Sequence, residues 1–220
     1  MIIGDLGMRI SELIYECVRD SIQLSNNGDF NYFSFLKGSY NDVKDYKMQI
    51  SNVLGSTNLA LARLSDSNKI PFSTEEIEVD SNEFVFKKGS VINILYNGEN
   101  IAFRHLDKGQ LIKLQMTVRE PKKILVEYKP YIKHIKEDDI YVIDDNDIQY
   151  NENDFDLFET YGINDTHCAY IKEFVKGQLY EVLDPELANM HNNRAEQYFS
   201  LLNVETTANY QKKIKIARWW

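Results

Sequence analysis

The sequence predicts an α+β protein: an α-helical bundle with an inserted antiparallel β-subdomain and an extended C-terminal arm. Three observations lead there. Apolar residues recur at helical spacing over the first third of the chain and again from about residue 164 to 203. Between them the period changes to two, with turn residues at short intervals, as half-buried strands require. The last seventeen residues then carry a composition unlike the rest.

The first stripe is Ile10, Leu13, Ile14, Cys17, Val18 and Ile22, a helix over about 8–25 that Asn26-Asn27-Gly28-Asp29 ends. A second helix is expected from Ser39, which has capping-box spacing to Asp42. Val43, Tyr46, Ile50, Val53, Leu54, Thr57, Leu61 and Leu64 carry it to about residue 66, and these N-terminal helices make up 1–69.

Residues 70–136 form the expected β-subdomain, with one antiparallel sheet of five or six strands between 75 and 129. Asn97-Gly98 between two β-rich runs is the strongest short hairpin signal in the chain. Residues 137–163 are an acidic connection, with a short strand expected at Ile140–Ile143 and a short helix near Phe155–Thr160.

A helix hairpin follows over 164–203 and is expected to pack with 1–69. Asn164 or Asp165 caps its first helix, lined by Cys168, Ile171, Val175, Leu179 and Val182. Asp184, Pro185 and Glu186 start the second, whose stripe reads Leu187, Met190, Arg194, Tyr198 and Leu201.

Residues 204–220 form the arm. The chain's net charge of −9 comprises −13 up to Glu205 and +4 after it. Lys212, Lys213, Lys215 and Arg218 supply those charges, and Trp219 and Trp220 close the chain. Ile214 and Ile216 alternate with lysines, a strand pattern able to add to a sheet edge on another chain. Aromatic and β-branched residues are scarce in disordered tails, so the arm reads as a docking element for an acidic, apolar partner, with packing on its own acidic body as the rival. The partner-binding residues are thus Lys212, Lys213, Ile214, Lys215, Ile216, Arg218, Trp219 and Trp220.

Signs of chemistry are few. His105, His134, His167 and His191 are scattered, with no HxxxH or HExxH spacing. The run 144–156 is the best calcium candidate. Counted from Asp145, however, it offers Gln149 at position 5, Tyr150 where the turn needs glycine, and Asp156 at position 12. There is no phosphate loop and no nucleophile elbow. No catalytic residue, cofactor or metal is expected, and the chain is not read as an enzyme. Cys17 and Cys168 lie in amphipathic stretches and read as buried, reduced thiols. The acidic body argues against general nucleic-acid affinity. No apolar run reaches the length of a membrane span, and the start MIIGDLGMRI has no basic-then-apolar pattern, so neither membrane nor secretory signal is expected.

An alternative function rests on the β-subdomain. Phe84, Phe86, Tyr96, Phe103 and Tyr128 fall on its strands, where aromatics can form a platform for single-stranded nucleic acid or a peptide.

The order of elements resembles the head–tail adaptors, or connector and tail-ring proteins, of tailed bacteriophages. The stretches that carry the resemblance are DLGMRISELIYECVRDSI, the β-region 75–129, YKPYIKHIKEDDI, YIKEFVKGQLYEVLDPELANMHNNRAEQYFSLL and, for the arm, KIKIARWW. The size of the sheet is most similar to podovirus-type adaptors, including those of crAss-like phages. The resemblance implies a structural virion protein at the head–tail junction, made in the host bacterial cytoplasm. It implies a ring of this chain, usually a dodecamer, that joins the portal protein to the next tail protein. DNA would pass through its channel during genome ejection without specific binding. The arm would pack on the portal. An acidic body suits a channel that must not retain DNA, and the acidic residues of 137–156 are the ones the sequence offers for its lining.

Overall fold

The computed structural model describes residues 8–21, 35–36, 44–106, 110–140 and 154–217. It is a mixed α+β protein, 47% helix and 26% antiparallel sheet. Contacts divide the chain into two compact units, residues 1–69 with 133–207 and residues 70–132 with 208–220.

The first unit is helical: α1 (Ile10–Ser21), α2 (Lys44–Asp66), α3 (Leu157–Tyr161), α4 (Asp165–Tyr180) and α5 (Pro185–Ala217) as far as residue 207. α1, α2 and α4 pack on one another pairwise. Their apolar stripes supply the core: Ile10, Leu13, Ile14, Cys17 and Val18 from α1, Ile50, Val53, Leu54, Leu61 and Leu64 from α2, and Cys168, Ile171 and Val175 from α4 are all buried. The expected ends of the first helix at 22–25 and the expected start of the second at 39–43 lie outside the described residues.

Helix α2 stops in a Schellman motif. Asn68 takes the left-handed φ of 55° that glycine usually supplies. Lys69 N–H then donates to Leu64 O at 2.8 Å and Asn68 N–H to Ser65 O at 3.1 Å. The Nε2–H of the buried His167 donates to Lys69 O at 3.0 Å and fixes the strand leaving the helix. The chain returns at 133–136, where Asn58 holds both backbone groups of Ile135, accepting from its N–H at 2.8 Å and donating to its carbonyl at 2.9 Å. Lys69 and Ile135, which flank the second unit in sequence, are therefore both held to α2 within the helical unit. Residues 133–136 belong to the helical unit, so the insertion ends four residues before the expected 136.

Among the described residues the second unit holds seven strands: β1 (Ser73–Val79), β2 (Glu83–Val85), β3 (Gly89–Tyr96), β4 (Glu99–Asn100), β5 (Phe103–Leu106), β6 (Leu111–Leu114) and β7 (Lys122–Pro130). They form two antiparallel sheets, β1-β7-β3-β4 and β2-β6-β5, where one sheet was expected. Strands as short as β2 and β6 fill one core with the larger sheet: Ile112 and Leu114 of β6 meet Val91 and Ile94 of β3 and Ile124, Val126 and Tyr128 of β7. A bulge between Val91 and Asn93 bends β3 against β7. Asn97 and Gly98 join β3 to β4 with φ of 52° and 82°, the positive pair a type I′ turn requires. Gly89 faces Pro130, and a Cβ there would fall 2.1 Å from Lys129 O.

Candidate interaction surface on the last helix

The turn between α4 and α5 is short and well capped. Asp184 accepts from Leu187 N–H at 3.0 Å, and Pro185 opens the helix where no N–H is needed. The two helices then approach through small residues. Ala188 and Ala195 of α5 are buried. A Cβ on Gly177 of α4 would lie 2.1 Å from Asn192 Oδ1, so a larger residue there would displace the Asn192 amide. The buried His191 donates from Nδ1 to Glu173 at 2.8 Å and stacks on Tyr180. Farther along, Phe199 lies between two cations, with Arg63 and Lys69 each 4.7 Å from its ring centre. Arg63 also pairs with Glu196 at 2.7 Å. The Lys69 ammonium is buried with no hydrogen-bond partner, and burial pulls its pKa down. Tyr170, whose ring packs on Phe199, is likewise buried, and burial pushes its hydroxyl up to about 12.

This seam turns α5 by one residue from the expected orientation. The inward line is Ala188, His191, Ala195 and Leu202, while the expected stripe of Leu187, Met190, Arg194, Tyr198 and Leu201 faces largely outward. Leu187 is half-buried; Met190, Tyr198 and Leu201 are 38%, 36% and 53% exposed. Val182, expected on the buried face of the preceding helix, lies past its end at 89% exposure, beside Leu183 at 81%. Glu181, Asp184 and Glu186 stand exposed around them. The result is a ridge of exposed residues from the turn along α5 to Leu201, apolar except for Arg194, that the described residues leave uncovered. Such ridges on a protein surface mark contact sites.

The backbone corrects the expected strand in the arm. Helix α5 continues through Ala217, so Lys212, Lys213, Ile214, Lys215 and Ile216 sit on helix and not on an extended segment. Residues two apart on a helix lie about 200° apart around its axis, so the alternation carries no strand face. Arg218, Trp219 and Trp220 lie outside the described residues.

The other candidates fall into structural positions. Asp154, from the acidic run, is buried and accepts from Ser11 N–H at 2.9 Å and from its hydroxyl at 2.8 Å, with Arg9 at 3.7 Å. Burial raises its pKa against those bonds. Asp156 caps α3, accepting from Glu159 N–H at 2.8 Å. Asp139 is buried in a one-turn 3-10 helix (Glu137–Asp139), where burial would raise its pKa but bonds from Lys136 N–H and Lys133 lower it. Asp139 and Asp154 are thus buried inside the fold and Asp156 serves as a helix cap, whereas Glu137 is half-buried and Asp138 exposed. Of the calcium candidate, residues 145–153 lie outside the described residues, as does most of the expected strand at 140–143. The short helix expected near 155–160 is α3.

The aromatics of the β-subdomain do not form an open platform. Phe86 and Tyr128 are in the core, in edge contact at 4.8 Å, and Phe84, Tyr96 and Phe103 pack against it. Cys17 and Cys168 are buried and not disulfide-bonded, and burial pushes the Cys168 thiol up to about 12. Among the described residues no group of three metal-ligating side chains comes together, and no helix is long and apolar enough to cross a membrane.

The α5 ridge was missed in the sequence because Ala188, His191, Asn192 and Ala195 are weak apolar markers beside Met190, Tyr198 and Leu201. The available signal was the pair of alanines seven residues apart, matched by Gly177 on the preceding helix. No protein-family model matches this chain, and no curated protein matches its sequence.

Proposed function

We propose that this chain is a structural virion protein, a ring-forming adaptor that joins a phage portal to the tail and surrounds the DNA channel. The observation that carries the reading is the uncovered apolar ridge on α5, continued on the same helix by the basic segment 212–217. A helix that hides alanines and presents methionine, tyrosine and leucine is organised for contact with other chains. The arrangement of a helical unit interrupted by a two-sheet insertion agrees with the resemblance to head–tail adaptors. In this reading the portal, the next tail protein and other copies of the chain are the partners. DNA passes without specific contacts, since the body is strongly acidic.

The test uses Trp219→Ala/Trp220→Ala. The double variant is expected to keep the melting temperature of the parent while losing binding to the co-expressed portal. A variant that unfolds would instead place the tryptophans in the chain's own core and refute the docking role.

A further inference from the structure

We infer that the α4–α5 turn is a docking knuckle for a basic protein surface: its two projecting aliphatic side chains enter an apolar socket on a partner, and its carboxylates meet the lysines or arginines that ring that socket. The inference rests on the proposed function only in taking this surface as one that meets another protein.

Six consecutive residues, Glu181 to Glu186, are exposed. Val182 and Leu183 among them stand at 89% and 81%, above every other large apolar residue described. The turn that presents them is hydrogen-bonded throughout. Asp184 N–H donates to Tyr180 O at 2.9 Å, and Ala188 N–H donates to Asp184 O at 2.9 Å. The Asp184 carboxylate accepts from Leu187 N–H at 3.0 Å. Beneath the turn, Tyr180 stacks on His191, which is bonded to Glu173. The aliphatic pair is thus held out on a braced tip, so docking has little backbone to order. Together with Pro185 it forms a contiguous apolar tip rimmed by carboxylates, the kind of surface that marks a protein contact.

The rim decides the partner. Glu181, Asp184 and Glu186 bring three negative charges, and no lysine or arginine occurs from Gly177 to Asn193. Elsewhere the surface pairs its acids: Glu75 with Lys88, Glu76 with Lys123, Glu83 with Lys113 and Glu196 with Arg63. Among the described residues no cation pairs with Glu181 or Glu186. A purely apolar socket would desolvate the rim without compensation. Anionic lipid or nucleic-acid phosphate would be repelled by it. A socket ringed by lysine or arginine satisfies both parts of the knuckle and excludes acidic competitors.

The test uses the isotope-labelled full-length chain and two synthetic helical peptides of equal length with the same leucine face. One carries lysine on its polar face and the other glutamate. The lysine peptide is expected to shift the NMR signals of residues 181–187 and to bind there about tenfold or more tightly than the glutamate peptide. Val182→Ser/Leu183→Ser and Glu181→Gln/Glu186→Gln should each weaken it by about tenfold. Both variants should keep the parent melting temperature, since all four side chains are exposed, and Asp184 is left in place because it caps α5. Shifts that map elsewhere, including to Met190 and Leu201, would overturn the inference. So would equal binding of the two peptides, or full affinity in either variant. A lowered melting temperature of Val182→Ser/Leu183→Ser would place the pair in the chain's own core and overturn it as well. The assay contains no portal, so each of these outcomes leaves the adaptor reading standing, and a failure of portal binding leaves this inference standing.

Discussion

Gly177→Ala tests why α5 presents its large apolar residues outward. In an exposed helix interior this change stabilises by ~1 kcal/mol, because alanine restricts the unfolded chain and favours the helix. Here the new methyl would sit 2.1 Å from Asn192 Oδ1 and 2.8 Å from Asn192 Cγ, well inside van der Waals contact, and 3.4 Å from the Asn192 nitrogen. The amide group must leave its place or the helices must separate. Overpacking of this kind costs ~1–3 kcal/mol, so the propensity gain is offset and the expected net effect is a loss of about 1 kcal/mol. Asn192→Ala in the same chain removes the obstructing amide and leaves the backbone nitrogen at a tolerable distance. The double variant should recover the loss and show a favourable coupling of ~1–2 kcal/mol. Urea unfolding of the parent, both single variants and the double variant measures all four corners. A Gly177→Ala variant that gains the full helix-propensity increment, with no coupling to Asn192, would refute the close approach and with it the stated cause of the outward ridge.

Asn58→Ala should cost about 2–4 kcal/mol, since it removes two hydrogen bonds and strands the N–H and carbonyl of Ile135; amide exchange of Ile135 should accelerate more than that of the α2 core, and equal acceleration would contradict a local clamp. Gly89→Ala should destabilise by at least ~3 kcal/mol, because its methyl meets backbone at Lys129 and no rotamer relieves it; a neutral outcome in thermal unfolding would show that β3 and β7 are farther apart. Two carboxylates give opposite pH signatures. Asp139 binds its proton less tightly folded than unfolded, so its stabilisation is present above the ordinary aspartate value of ~3.9 and lost as pH falls through its lowered value, and Asp139→Asn should flatten the acid limb. Asp154 is raised on folding, so stability falls as pH climbs from the ordinary value through the raised one, and Asp154→Asn should remove that decline. Denaturation midpoints of both variants across the acid range check the two signs. The Cys168 thiol, pushed up to about 12, should react with a disulfide reagent at mildly alkaline pH only on unfolding, and rapid native-state labelling would contradict its burial.

The parts of the fold that sequence reasoning reached were those with strong local signals. The stripes of α1, α2 and α4 use Ile, Leu and Val at helical spacing, and Ile10, Leu13, Ile14, Val18, Ile50, Val53, Leu54, Leu61, Leu64, Ile171 and Val175 among them are buried in the helical core. Asn97-Gly98 has only one common use between β-rich runs, and it forms that turn. Asp184-Pro185 opened a helix for the same kind of reason. The misses arose where tertiary packing overrode local pattern. Ala188 and Ala195 win the interior of α5 because Gly177 allows a close seam, and bulkier residues are left outside. One expected sheet became two because the register of β2, β5 and β6 is set by a shared core that periodicity does not encode. Asp154 reads as one more acid in an acidic run, and nothing local announces its partner Ser11, 143 residues away. In the arm, alternation of Ile214 and Ile216 with lysines was too short a pattern to distinguish a strand from the end of a long helix.

The adaptor reading is tested most directly by recovering its partners. Full-length chain and a version ending at Asn203 would be used side by side as bait in lysate of the phage-infected host, and the captured proteins identified by mass spectrometry. The account predicts that portal and tail proteins come with the full-length chain and are absent with the shortened one. Portal recovered equally by both would take the docking role from residues 204–220, and the absence of portal and tail proteins from both would contradict the adaptor function itself.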